Sequence, residues 1–280
     1  MSFSYPDGVE ALRDVGFEVA EGESVGIVGP NGAGKSTLTL LLAGFLPPRD
    51  GIVEVAGIRV GRSTVREVRR RLGLVFEDPE DQLFMGTLYD DVAFGPMNMG
   101  VAPDRVDEIV RGTLAMVGLD TLADRFPGHL SSGQKRAAAI AAVIAMRPAI
   151  VVFDEPTAGL DPRSRRRVIE IIGALGGSRI VVSHDLEAVL DCCRRVILLD
   201  GGRIVADGPA EDVLSDGALL DAHGLEKPHS LMSASEHRHM HAVRFGGADA
   251  GAPHGGREAA EDACACSEAG PMPARRRATP

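Results

Sequence analysis

No stretch of about eighteen consecutive apolar residues occurs in the chain, so no segment is expected to cross a bilayer as a helix. Cysteine is scarce. There are four in 280 residues, two of them adjacent at Cys192 and Cys193, which does not resemble a bridged extracellular framework and fits a reducing cytoplasm. Residues 1–6 have neither a basic start nor a long apolar core, so no secretory leader is expected. Positive charge is in deficit: the formal net charge of −10 argues against broad nucleic-acid binding. No internal repeat is evident. What is present is ordinary for a globular protein, with 44% hydrophobic and 25% charged residues. A folded unit of this length buries roughly 70–75% of its unfolded surface and needs no disulfide.

Up to about residue 224 apolar runs of strand length alternate with helical stretches, the pattern of an α/β domain. The strand candidates are SVGIVG (24–29), RLGLVF (71–76), AIVVF (149–153), RIVVS (179–183) and RVILLD (195–200). GFEVAEGES (16–24) and DGIVEVAGIRV (50–60) read as shorter, more exposed strands of an antiparallel layer. Residues from about 86 to 147 read as a helical subdomain, punctuated early by Gly95-Pro96, Pro103 and Pro127. Cys192, Cys193 and Met116 are expected to pack within helices. Residues 225–280 hold one aromatic, Phe245, five of the eight histidines, and seven basic against seven acidic side chains. Little there can build a core, so a disordered tail is expected.

GPNGAGKST (29–37) satisfies G-x-x-x-x-G-K-[ST], with an apolar strand before it and a helix-compatible run after it. Glycines let backbone N–H groups of Gly29, Asn31, Gly32, Ala33 and Gly34, in the loop that also holds Pro30, curl round phosphate oxygens, and the helix N-terminus adds a favourable dipole. Lys35 would reach the β- and γ-phosphates, the Ser36 hydroxyl would ligate Mg²⁺, and Thr37 closes the motif. AIVVFDEP (149–156) supplies the other half of an ATP site. Its strand delivers Asp154 beside Mg²⁺, and Glu155 follows as candidate base for an attacking water.

Five further segments then fall into a familiar order. LSSGQKR (130–136) resembles the LSGGQ signature of ABC-type ATPases, and TAGLD (157–161) resembles their D-loop. IVVSHD (180–185) places His184 like the switch histidine, and SYPDGVEALRDV (4–15) places Tyr5 like the aromatic that stacks on adenine. LVFEDPEDQLF (74–84) lies where the family has its glutamine loop. VFEDPEDQLF with DDVAFGPMNMG (90–100) is similar to the ATPase subunits of energy-coupling-factor transporters, best to those energising cobalt or nickel uptake. The resemblance covers residues 1–224. It implies an ABC-type P-loop ATPase domain with a mixed sheet core, ATP and Mg²⁺ as cofactors, and transmembrane partner subunits. It also implies a place at the cytoplasmic face of the cell membrane, and a dimer of identical or different ATPase chains. In such a dimer Ser131, Gly133 and Gln134 face the γ-phosphate held by the partner, and Asp161 links the two sites. Ser131 also reads as a plain helix N-cap, and a capped N-terminus is itself an anion site.

Two departures stand out. Glu77 replaces the family's glutamine, which touches Mg²⁺ and the lytic water. A carboxylate can still offer oxygen to Mg²⁺, but one more charge at about 4 Å from the γ-phosphate costs roughly 4 kcal/mol at an effective dielectric near 20. Glu77 is read as a metal-side ligand, with a loop that swings away as the alternative. Ser132 replaces a glycine, a change that is cheap only if its φ is helical. Phe84 reads as an exposed contact for a membrane subunit.

In the tail, His237, His239 and His241 alternate within five residues, and Cys264 and Cys266 flank an alanine. Imidazole and thiolate suit nickel, cobalt or zinc, although the spacing fits no closed zinc site. Compositional bias accounts for the segment equally well. The competing functional readings are an energy-coupling ATPase for a vitamin and a non-transport ABC-type ATPase. The latter lacks support, because residues 35–154 contain neither heptads nor paired CxxC.

Overall fold

The computed structural model describes residues 1–232. In chain order the elements are β1 (Phe3–Ser4), β2 (Glu10–Leu12), β3 (Ser24–Val28), α1 (Lys35–Leu42), β4 (Glu54–Val55), β5 (Ile58–Arg59), α2 (Val65–Arg71) and β6 (Leu72–Val75). There follow α3 (Leu88–Asn98), α4 (Pro103–Val117), α5 (Ser132–Ile144), β7 (Ile150–Asp154), α6 (Pro162–Ala174) and β8 (Ser178–Val182). The last elements are α7 (Leu186–Cys192), β9 (Arg195–Asp200), β10 (Arg203–Pro209), α8 (Ala210–Ser215) and α9 (Gly217–Ala222).

A six-stranded sheet in the order β10-β9-β3-β8-β7-β6 forms the centre, parallel except for β10. Its five parallel strands are largely apolar because both faces are covered, whereas the edge strand β10 alternates half-buried and exposed residues. Val151, Phe153, Val181, Val196 and Leu198 point to one core, shared with α3 to α8. Val152, Ile180, Val182, Ile197 and Leu199 point to the other, shared with α1, α2 and the N-terminal hairpin. Successive residues of a strand thus serve opposite cores, as the pleat requires. The three helices α3, α4 and α5 pack against one another between β6 and β7 in the chain.

The antiparallel layer is smaller than its sequence suggests. β1 pairs with β2 and β4 with β5, each in a short hairpin. The GFEVAEGES segment is not a strand. Its polar backbone groups are taken by side chains: Arg195 donates to Glu18 O, Glu23 accepts from Ala20 N, and Ser178 Oγ accepts from Gly22 N. With those groups already satisfied, a ladder gains nothing there.

Two further expectations change. Met116 is 60% exposed on α4 rather than packed. Ordered packing also runs past residue 224: Leu225 is buried, and Ser230 donates from both N and Oγ to the Glu187 carboxylate on α7. Cys192 ends α7 and Cys193 caps it; both are buried free thiols, with pKa values pushed by burial to about 11 and about 12.

Candidate nucleotide site

The phosphate loop joins β3 to α1 and is shaped by glycines that no other residue can replace. At Gly29 (φ 154°) an added Cβ would lie 2.0 Å from Leu199 O, and at Gly34 (φ 105°) 2.6 Å from Ala11 O. Gly32 (φ 82°) has open space on its Cβ side. The loop is therefore pressed onto β9 and β2 from behind while its front stays clear. Gly202 N donates to Ala33 O and holds the turn from the other side. Gly34 caps α1 in the left-handed region with no side-chain partner, so the first N–H groups of α1 remain available to an anion.

Lys35 is buried, and its Nζ donates to Gly29 O (2.7 Å) and Pro30 O (3.1 Å) across the mouth of the loop. Burial lowers its pKa, while the charges of Glu155 and Asp154 oppose that shift. Ser36 and Asn31 are exposed, whereas Thr37 is buried, with its Oγ1 3.0 Å from the Tyr5 hydroxyl. The Tyr5 ring stands edge-on to Phe3 with centroids 5.1 Å apart. That places the tyrosine at the end of the phosphate loop.

Asp154 ends β7, two strands from β3 in the sheet. Its pKa is raised to about 6, first by burial, then by the charges of Glu155 and Glu77, with Lys35 acting the other way. The Glu77 side chain is exposed, and its main-chain oxygen accepts from Arg136 Nη1. Asp154 and Glu155 thus face Lys35, and the charge of Glu77 acts on Asp154.

Glu155 sits at φ 45°, a left-handed conformation that costs a non-glycine residue about 1 kcal/mol or more. It is held there by Glu155 N donating to Val182 O at 2.8 Å. Its carboxylate is buried and receives Ser183 Oγ (2.9 Å), His184 N (3.1 Å) and His184 Nδ1 (2.8 Å). His184 is otherwise open to solvent, 61% exposed. The strand-end acid, its neighbour and the histidine loop of β8 therefore form one unit beside Lys35.

Ser131, Gly133, Gln134 and Asp161 lie apart from it. No hydrogen bond or ion pair among the described residues joins them to the phosphate loop. Ser131 and Gln134 make a reciprocal capping box on α5, Ser131 N to Gln134 Oε1 at 2.9 Å and Gln134 N to Ser131 Oγ at 3.3 Å. Ser132 is the first helical residue and is not among the positive-φ positions, so its departure from glycine carries no backbone strain. Gly133 is required by contact: a Cβ there would sit 2.3 Å from Ser164 Oγ on α6. Asp161 caps α6, accepting from Arg163 N, Ser164 N and Ser164 Oγ, and these bonds hold its pKa below the ordinary range. Ser131, Gly133 and Gln134 line an open groove of about 620 Å³ with Arg163, Ser164 and Arg166.

The sequence reading missed three residues. Arg136 is buried at the start of α5 and donates to Phe76 O (2.9 Å), Glu77 O and Ala158 O (3.5 Å). It ties the 77–84 loop to the segment leading to Asp161, and only its position one residue past LSSGQK hinted at that. Ser183 and Asp185 flank His184, and their serine and aspartate were visible in IVVSHD. Asp185 binds Arg165 through both oxygens (2.7 and 2.8 Å) and receives Thr157 Oγ1 (3.0 Å), which lowers its pKa despite burial. His237, His239, His241, Cys264 and Cys266 lie outside the described residues, and no metal-holding cluster of His, Cys, Asp and Glu occurs among the described ones. A separate cavity of about 870 Å³, lined by Val15, Phe17, Val53 and Ile150 among others, contains none of the site residues.

A family model described as ABC transporter matches residues 12–158. The energy-coupling factor transporter ATP-binding protein EcfA of Methanothermobacter thermautotrophicus is 43% identical over 233 residues, 81% of this chain and 75% of that protein. The structure of cbiO1 from Clostridium perfringens, described as part of the ABC transporter complex cbiONQ, aligns with TM-score 0.71 at 33% identity, covering 79% of this chain and 90% of that one. A dimeric post-hydrolysis structure of the ATP-binding cassette MJ0796 with ADP and Pi aligns with TM-score 0.67 at 26% identity, covering 75% and 95%. With the phosphate loop, the strand-end acids and the histidine loop arranged as above, the chain belongs to the ABC transporter family, as an ATP-binding subunit and ATPase.

Proposed function

We propose that this chain hydrolyses ATP to energise uptake of a cobalt or nickel ion, as the ATPase of an energy-coupling transporter on the cytoplasmic face of the membrane. The observation that carries the transporter type is the extended similarity to EcfA. The metal is favoured by the resemblance of VFEDPEDQLF and DDVAFGPMNMG to subunits energising cobalt or nickel uptake. A surface for membrane subunits is at hand: Phe84 (61% exposed) and Phe94 stand edge-on with centroids 5.1 Å apart, and Met97 beside them is 64% exposed. Such a contiguous apolar patch, on a chain in which no described helix is long and apolar enough to span a bilayer, suits a subunit that docks on a membrane partner.

The donor set fits Mg²⁺. Burial first, and then the charges of Glu155 and Glu77, raise the Asp154 carboxyl to about 6, and a bound cation would offset both effects. Asp154, Glu77 and the Ser36 hydroxyl would hold the ion, which supplies charge neutralisation at the phosphate oxygens. The chain's own residues do the rest. Backbone N–H groups of residues 31–37 and the Lys35 ammonium bind the phosphates, and the Tyr5 ring takes the base. Glu155 accepts a proton from the attacking water, held in position by Ser183 and His184. His184 presents its remaining ring edge to the γ-phosphate. Ser131, Gly133 and Gln134 of one copy face the nucleotide of a second, and Asp161 lies between the two sites. The dimeric MJ0796 structure supports that arrangement.

Cellular nickel and cobalt, measured by mass spectrometry in a strain lacking the gene, test the proposal. One metal should rise in low-metal medium when the intact chain is restored and not when Glu155→Gln is. If neither metal changes with the intact chain, the substrate assignment is wrong.

A further inference from the structure

Between Arg49 and Arg71 the chain carries seven arginines and three acids, although the whole protein has a net charge of −10. One of the seven is engaged within the fold. The Arg69 guanidinium lies 4.2 Å from the centre of the Phe45 ring and donates to Ala43 O and Gly44 O. The other six, Arg49, Arg59, Arg62, Arg66, Arg70 and Arg71, are exposed, and none makes an ion pair or a side-chain hydrogen bond among the described residues. Unneutralised like charges repel one another, so such a concentration marks where an anionic partner is met.

The placement narrows the partner. Arg66 and Arg70 are one helical turn apart on α2 and share a face, with Arg62 just before the helix. Phe45, beneath Arg69, is 47% exposed and stands edge-on to Phe76, centroids 6.0 Å apart. Phe76 precedes Glu77 in the loop that ends at exposed Phe84. Arg69 and Phe45 therefore lie against the start of that loop. Arginines on one face of a short helix, with a neighbouring guanidinium over a half-exposed aromatic, have the composition of a membrane-surface contact. The surplus acid of the rest of the chain disfavours a long nucleic acid, which would have to pass over it.

We propose that the segment from Arg59 to Arg71 rests on an anionic bilayer surface and binds acidic phospholipid headgroups. This draws on the transporter reading only for the nearness of a membrane. The test needs no membrane subunit and no transported metal, so its failure is distinct from failure of that reading.

The full chain is sedimented with vesicles of phosphatidylcholine alone or mixed with phosphatidylglycerol, in low and high salt. Binding is expected only to the mixed vesicles and should vanish in high salt. Joint Arg62→Gln, Arg66→Gln and Arg70→Gln should weaken it about 100-fold, at about fivefold per arginine, with ATP hydrolysis in solution unchanged. If the triple variant hydrolyses ATP poorly, Arg66→Gln and Arg70→Gln singly decide, each weakening binding about fivefold. Three results overturn the proposal: no preference for phosphatidylglycerol, variants that bind as the parent does, or a short duplex DNA that displaces the chain from vesicles at lower concentration than phosphatidylglycerol vesicles themselves.

Discussion

His184 Nδ1 lies 2.8 Å from Glu155 Oε2, and the main-chain N–H of the same histidine donates to the other carboxylate oxygen at 3.1 Å. One residue thus grips both oxygens of the acid that follows Asp154. Ser183 adds a third bond from 2.9 Å. For the proposed base, such fixing leaves little orientation freedom to lose before the proton moves, which is the positional part of hydrolysis.

Ser183→Ala removes one donor from a buried carboxylate and leaves both histidine bonds. A hydrogen bond to a charged group is worth about 1.5–3 kcal/mol. The expected outcome is a roughly tenfold lower kcat with KM for ATP little changed. Steady-state kinetics check it, and a change confined to KM would assign Ser183 to binding instead.

Arg136→Ala strands the carbonyls of Phe76, Glu77 and Ala158, all near a buried site. A loss of about 3 kcal/mol is expected, lowering Tm by on the order of 8 °C for a domain of this size. Arg136→Lys should recover little, because a single ammonium cannot span three acceptors that a planar guanidinium reaches. Thermal melts of both variants decide the point; full rescue by lysine would contradict it.

Gly133→Ala drives a methyl to 2.3 Å from Ser164 Oγ and should push α5 from α6. Hydrolysis is expected to fall at least tenfold, with partial recovery when Ser164→Gly is added. Independent effects of the two substitutions would show that the contact does not limit activity.

The Asp154 carboxyl titrates at about 6 against 3.8 for the free side chain. A raised acid favours the fold while protonated, so its contribution is complete below about pH 4 and is lost as pH rises through about 6. The loss is about 2 kcal/mol after solvent screening. Without Mg²⁺ and nucleotide, stability of the parent should therefore fall relative to Asp154→Asn between pH 4 and about 7. Glu77→Gln removes one of the charges raising Asp154, so the same fall should move to lower pH. The half-saturating Mg²⁺ for ATPase should move as well. Superimposable Mg²⁺ curves for Glu77→Gln and the parent would remove Glu77 from the metal side.

Much of this arrangement was legible before any coordinate. Strands β3, β6, β7, β8 and β9 were readable because parallel strands covered on both faces are uninterrupted apolar runs. β10 was missed because Arg203–Pro209 alternates half-buried and exposed positions on a sheet edge and contains polar residues. The GFEVAEGES segment misled for a different reason. Its alternation is strand-like, but Arg195 and Ser178, remote in sequence, take its backbone groups. Lys35 was readable from the G-x-x-x-x-G-K-[ST] spacing, Asp154 and Glu155 from the acids that end an apolar strand, and His184 only from the family resemblance of IVVSHD. Arg136 was not, since an arginine in the first turn of an alanine-rich helix reads as a solvated side chain until the 77–84 loop is folded over it. The helical φ of Ser132 likewise needed the structure.

The central claim is that Glu155 is the base of an ATPase whose site is otherwise complete. It is tested most directly by comparing Glu155→Gln with the parent for ATP turnover and for ATP-dependent mass by light scattering. The account predicts turnover lower by about 10²–10⁴, with ATP still bound and a dimer that persists in ATP. Turnover equal to that of the parent would remove Glu155 from its role.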